Sequence, residues 1–175
     1  MSKTNSLKRN EASNLKEELF CSECQKRINP EQFFYVDEKP VCYRCIFGDV
    51  KPVSIYPIGF VKSNEPWGNA VIALYPQQKR FMYKLEEEKE ICVVFYFHEI
   101  DAIKTVFNRG NKSDGKRVGV FASRTPRRTS RIGITYVELL QVSGLELKVK
   151  GLDAFQGSPV LDIKAIGKIK NYNLN

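Results

Sequence analysis

From residue 53 onward, short apolar runs alternate with turn residues at a spacing too tight for long helices. Residues 53–61 are rich in Val, Ile, Tyr and Phe and predict a strand, ending in the turn-like S-N-E-P-W-G-N. Residues 70–75 predict a second strand, stopped by Pro76. The stretch 77–90 reads as helical, its E-E-E-K-E patch a solvated face. Residues 91–98, I-C-V-V-F-Y-F-H, form a continuous apolar run, which predicts a strand buried on both faces. Cys92 packs there as a small hydrophobe. Residues 108–116 (N-R-G-N-K-S-D-G-K) are loop. A short apolar strand starts at Gly119, breaks at Pro126, and gives way at Ile132 to a β-branched strand running through Val142. After the Ser143-Gly144 turn, L-E-L-K-V alternates with one wet face, and residues 151–164 place a turn between two strands. Eight or so short strands with few helices predict a mainly β fold, a small barrel or a strongly bent sheet.

The N-terminal part has a different organisation. Residues 1–19 are a polar lead-in in which E-A-S-N-L-K-E-E-L has two turns of helical spacing. Cys21-x2-Cys24 and Cys42-x2-Cys45 follow, separated by seventeen residues. Each C-x-x-C turn directs two thiolates to one metal, and the interval suits a β-hairpin that brings the second pair back. The hairpin is F-F-Y-V-D-E-K-P-V-C, turning at Asp37, Glu38 and Lys39. Cys21, Cys24, Cys42 and Cys45 fill all four positions of a tetrahedron, so the expected role is structural Zn2+ holding together a segment too small for its own core. Gly48 to Pro52 reads as a linker. The expected domains are therefore the lead-in at 1–19, a zinc ribbon at 20–50, and a β domain at 51–175.

Charge adds a partner to this picture. Between residues 108 and 131 lie eight Lys or Arg and one acid, an excess of seven against a whole-chain net charge of +8. Concentrated like charge opposes compaction, so an anionic partner is the economical explanation. No apolar run is long enough to span a bilayer, which argues against a membrane protein. The first residues lack the apolar core of a secretory signal, and five cysteines without one argue against a disulfide framework; the expected location is cytoplasmic. Neither a G-x-G-x-x-G after a strand nor a P-loop appears, so the usual nucleotide-binding motifs are unsupported. His98, the chain's single histidine, ends the 91–98 run and is followed by Glu99. Its residue-level reading is a hydrogen-bonded structural residue, with a catalytic role open.

Three stretches together resemble the TsaA/TrmO family: P-I-G-F-V-K-S at 57–63, V-V-F-Y-F-H-E at 93–99 with G-V-F-A-S-R-T-P at 119–126, and G-L-D-A-F-Q-G-S-P-V-L-D-I-K at 151–164. The resemblance covers residues 55–168. It implies a non-Rossmann β-barrel methyltransferase that uses S-adenosyl-L-methionine and methylates N6 of threonylcarbamoyladenosine beside the tRNA anticodon. A tRNA partner and a homodimer are also implied. Carried over residue by residue, the cofactor site falls on His98, Glu99, Arg124, Ile134, Asp153, Gln156, Gly157, Ser158 and Pro159. Arg124 would grip the cofactor carboxylate and Asp153 the ribose hydroxyls or ammonium. Gly157 would let backbone groups approach the adenine. His98 is the candidate proton acceptor. Arg127, Arg128, Arg131, Lys116 and Arg117 are the candidate RNA contacts.

The chain also departs from the family pattern. R-T-S-R-I-G-I-T at 128–135 stands where the family continues R-P-N-P-I-G-L-S; Gln156 replaces an aspartate, and Lys89-Glu90 a Ser-His pair. The implied cofactor site is better preserved than the implied acceptor site. Two rival readings stay open, a methyltransferase of this fold with another acceptor and a non-catalytic cofactor-sensing adaptor.

Overall fold

The computed structural model describes residues 18–65, 68–108 and 117–166. Its ribbon comprises β1 (Phe33–Val36), β2 (Lys39–Cys42) and a five-residue helix, α1 (Tyr43–Phe47). The hairpin turns where predicted, on Asp37 and Glu38 at φ 47° and 69°. Two consecutive left-handed residues give the turn whose twist matches its flanking strands. Cys21, Ile28 and Val41 are the fully buried side chains beneath it.

Six strands close a barrel: β3 (Gly59–Asn64), β4 (Asn69–Leu74), β5 (Glu90–Tyr96), β9 (Ile132–Ser143), β10 (Glu146–Lys150) and β11 (Pro159–Ala165). They run in the order β10-β4-β3-β11-β5-β9, every neighbour antiparallel. Closure removes the open edges that a bent sheet would expose. Three shorter strands lie outside the barrel: β6 (Ala102–Ile103), β7 (Val106–Asn108) and β8 (Arg117–Gly119).

Alternation along the strands fills the interior with Val61, Ile72, Ile91, Val93, Phe95, Val137, Leu147, Val149 and Val160. Gly133 belongs to this packing. A Cβ there would lie 2.5 Å from Phe95 Cζ and 2.8 Å from Phe97 Cζ, so only glycine lets β9 cross the edge-on Phe95–Phe97 pair.

Several expectations need correction. Residues 53–57 are unpaired; Ile58 bonds Val160 and Tyr75 through its backbone, and the strand begins at Gly59. Val53 and Tyr56 are each 84% exposed, so apolar composition there did not translate into burial. In place of one helix at 77–90 there are 3-10 segments at Pro76–Phe81 and Leu85–Glu87, too short to expose a regular face. The apolar run from Gly119 is not a strand. Pairing ends at Gly119, and Val120–Ala122 coil into a 3-10 turn. Strand β5 buries Ile91, Val93 and Phe95 inward, but Val94 and Tyr96 are only half-buried on the outside. The lead-in before residue 18, Lys116 and most of the 108–116 loop lie outside the described residues.

Ribbon and barrel are joined by hydrogen bonds. Strand β6 pairs in parallel with β1, Tyr35 opposite Ala102 and Val36 opposite Ile103. The Asp37 amide donates to the Ile103 carbonyl at 2.9 Å, and the Asp37 carboxylate accepts from the Thr105 hydroxyl and, at 3.1 Å, from its amide. The Thr105 hydroxyl is the main reason that this carboxyl is held below its ordinary range.

Candidate active site and metal centre

A cleft of about 230 Å3 opens where β5 ends. Four segments far apart in the sequence converge on it. Strand β3 contributes Asn64; the end of β5 contributes Phe97, His98, Glu99 and Ile100; the arginine loop contributes Arg124 and Pro126; the 151–158 bend contributes Leu152, Asp153, Ala154, Phe155 and Ser158. The lining is apolar with a few polar groups set into it, the usual composition of a small-molecule site.

The polar groups are held by contacts of their own. Ser158, 2% exposed, places its hydroxyl 3.3 Å from His98 Nδ1. His98 Nε2 lies 3.6 Å from a Glu99 carboxylate oxygen. Gly157 has φ 86°, and a Cβ there would stand 3.5 Å from His98 Nε2. Glycine therefore meets two demands, a left-handed bend and space beside the imidazole. Its amide donates to the Val61 carbonyl at 2.8 Å, and the Ser158 amide to the Phe155 carbonyl at 3.0 Å. Of the backbone groups expected near an adenine ring, the Gly157 amide is committed to the barrel wall.

Asn64 is the residue that sequence reasoning missed. Its Nδ2 donates to the carbonyls of Leu152 and Ala154, at 3.1 and 2.6 Å, and so fixes the 151–158 bend. Its Oδ1 is buried without a partner. An unsatisfied buried acceptor in a cleft wall fits a ligand that carries an amino or hydroxyl donor. The available signal was its place just beyond the P-I-G-F-V-K-S stretch, which had been read as the start of a turn.

Of the carried-over cofactor residues, His98, Glu99, Arg124, Asp153 and Ser158 line this cleft, and Gly157 sits against His98. Ile134, 56% exposed, lies on strand β9 opposite Val94 and is not among the lining residues. Gln156 is exposed in the bend. Pro159 lines a separate depression with Ile55, Pro57, Tyr96 and Ile132.

The arginines divide in the same way. Arg127 and Arg117 are exposed. Arg128 is partly buried, its guanidinium donating to the carbonyls of Thr125, Ser123 and Val120 at 3.0, 2.6 and 3.4 Å, which braces the loop. Arg131, left-handed at φ 51°, lays its guanidinium 4.4 Å over the Phe34 ring of the ribbon. Its carbonyl accepts from the Phe97 amide at 2.8 Å.

In the ribbon, the sulfurs of Cys21, Cys24, Cys42 and Cys45 all lie within 4.8 Å of one another. Cys21 and Cys45 are 3.8 Å apart, and Cys24 and Cys42 are 3.9 Å apart. Four sulfurs at about 2.3 Å from a tetrahedral zinc are about 3.8 Å apart, whereas a disulfide would close to about 2.05 Å. Burial raises the Cys21 thiol, but amides of Cys24, Cys42 and Glu23 outweigh it and lower the group to about 6. The thiol of Cys45 is pushed up, chiefly by its bond with Cys42. The four-thiol donor set fits a soft divalent metal.

A closed antiparallel barrel with a ligand cleft at the end of one strand defines a small non-Rossmann binding domain. Residues 62–168 match the tRNA-methyltransferase O N-terminal domain, and the chain belongs to the TsaA/TrmO family. An S-adenosyl-L-methionine-binding protein of Archaeoglobus fulgidus is 31% identical over 122 residues, covering 66% of this chain and 86% of that protein. A mouse tRNA (adenine(37)-N6)-methyltransferase is 35% identical over 81 residues, covering 46% of this chain and 19% of its own length. A crystal structure of TrmO from Pseudomonas aeruginosa superimposes with a TM-score of 0.55 at 25% identity, covering 73% of this chain and 60% of that one. The chain therefore spans about a fifth of the mouse enzyme and 60% of the crystallised one. Among the described residues no helix is long and apolar enough to cross a membrane.

Proposed function

We propose that the barrel is an S-adenosyl-L-methionine-dependent tRNA methyltransferase acting on N6 of threonylcarbamoyladenosine next to the anticodon, with structural zinc in the ribbon. The observation that carries this reading is the convergence of His98, Glu99, Arg124, Asp153 and Ser158 on one cleft. Those residues come from the stretches that resemble the family.

When bound, the cofactor supplies an activated sulfonium methyl, so the protein's task is chiefly positioning. Arg124 would hold the cofactor carboxylate. Asp153 would take the ribose hydroxyls or the ammonium, and Asn64 Oδ1 would accept from a cofactor N–H or O–H. A carbamoylated exocyclic nitrogen is a poor nucleophile, and losing its proton during attack helps it. His98 accepts that proton, with the neighbouring Glu99 carboxylate stabilising the imidazolium. Arg127, Arg117 and Lys116 meet the RNA backbone, whereas Arg128 and Arg131 hold the loop that presents Arg124 and Arg127. A homodimer would cover the exposed outer side chains Ile134 and Tyr136.

The test is methyl-labelled S-adenosyl-L-methionine with zinc-loaded protein and tRNA carrying unmethylated threonylcarbamoyladenosine, followed by nucleoside mass spectrometry. One labelled methyl on that nucleoside is expected. Label on another nucleoside, or none although the cofactor binds, overturns the assigned acceptor. One observation favours a different acceptor as the second reading: the family's P-N-P is replaced by Thr129, Ser130 and Arg131, and the Arg131 guanidinium lies over Phe34 of the ribbon.

A further inference from the structure

Phe34, Tyr43 and Phe47 form an aromatic cluster on the ribbon that its core does not require. The core is Cys21, Ile28 and Val41, supported by Leu19, Phe33, Val36, Cys42, Cys45 and Ile46. Tyr43 and Phe47, four residues apart, share one side of α1. The Phe34 and Tyr43 rings stack at 5.1 Å and 19°, and Phe47 meets both edge-on at 6.2 and 5.7 Å. Tyr43 is nevertheless 38% exposed and Phe47 39%. A small metal-held module gains little from leaving three packed rings partly in water.

The guanidinium groups beside the rings argue for the kind of occupant. Arg131 covers Phe34 from the basic segment that holds most of the chain's net charge. Arg44 is exposed on the same helix, paired at 3.3 Å with Asp49. Arg131 also ties the patch to the cleft. The Arg131 carbonyl accepts from the Phe97 amide, and Phe97 lines the cleft beside His98. Exposed rings next to guanidinium groups recognise unpaired nucleobases, which stack on a π-face regardless of sequence.

We propose that Tyr43 and Phe47, backed by Phe34, are a stacking platform for an unpaired RNA base near the nucleotide in the cleft. This rests on RNA being the partner, but not on which nucleoside is methylated.

The experiment uses the full zinc-loaded chain with two labelled RNAs of similar charge, an anticodon stem-loop and a blunt duplex, compared by fluorescence anisotropy. Tyr43→Leu keeps apolar bulk without a flat ring, and Tyr43→Phe keeps the ring. Tyr43→Leu is expected to weaken stem-loop binding about tenfold while leaving duplex binding and zinc content unchanged. Tyr43→Phe should bind like the parent, and Phe47→Ala should repeat the selective loss. The proposal is overturned if neither Tyr43→Leu nor Phe47→Ala affects the stem-loop, or if both RNAs are lost together. Selective loss in a protein that transfers no methyl to threonylcarbamoyladenosine would support the platform while refuting the assigned acceptor.

Discussion

With zinc in the ribbon as proposed, removing it by chelation or by Cys21→Ser is expected to unfold residues 20–50 while the barrel stays folded. Fully buried side chains in the ribbon are few, whereas the barrel has a continuous core of its own. Structural zinc contributes about 10–16 kcal/mol to modules of this kind, far more than such a core supplies. Hydrogen exchange reads the result directly: amides of Phe33–Val36 and Lys39–Cys42 should lose protection, and those of Glu90–Tyr96 should keep it. The effect should reach the cleft. Strand β6 would lose its β1 partner, and Thr105 would lose Asp37, so the connection leaving Glu99 and Ile100 would loosen. Cofactor affinity should fall several-fold. Ribbon amides that stay protected after the metal is gone would contradict this account.

The second large effect is expected at Arg124. Replacing it with alanine should weaken S-adenosyl-L-methionine binding about tenfold, the low end of what a charge-assisted hydrogen bond contributes, because the side chain sits at an exposed rim. Arg127→Ala should leave the cofactor alone and weaken RNA binding in a salt-dependent way. Equal loss of both ligands in the two variants would mean that the loop acts as one unit.

Much of this site was legible because its signals are local. The two C-x-x-C turns and the hairpin between them specified the four-sulfur cluster, since each depends on a few adjacent residues. The cleft residues were legible only through the resemblance of short stretches to the family, since His98 read by itself is a structural residue. The misreadings arose where partners distant in sequence decide the outcome. Residues 53–57 have strand composition but no neighbouring strand to pair with. Arg128 and Arg131 count as charge in the sequence, yet one braces carbonyls of its own loop and the other covers Phe34. Asn64 looked like a turn residue, because its partners, the carbonyls of Leu152 and Ala154, lie almost ninety positions away.

Calorimetric titration of S-adenosyl-L-methionine into zinc-loaded protein tests the cleft most directly. The account predicts saturable heat at one site per chain, an affinity about tenfold weaker in Arg124→Ala, and no change in Tyr43→Leu. Absence of saturable heat, or an isotherm unaltered by combining Arg124→Ala with Asp153→Ala, would contradict it.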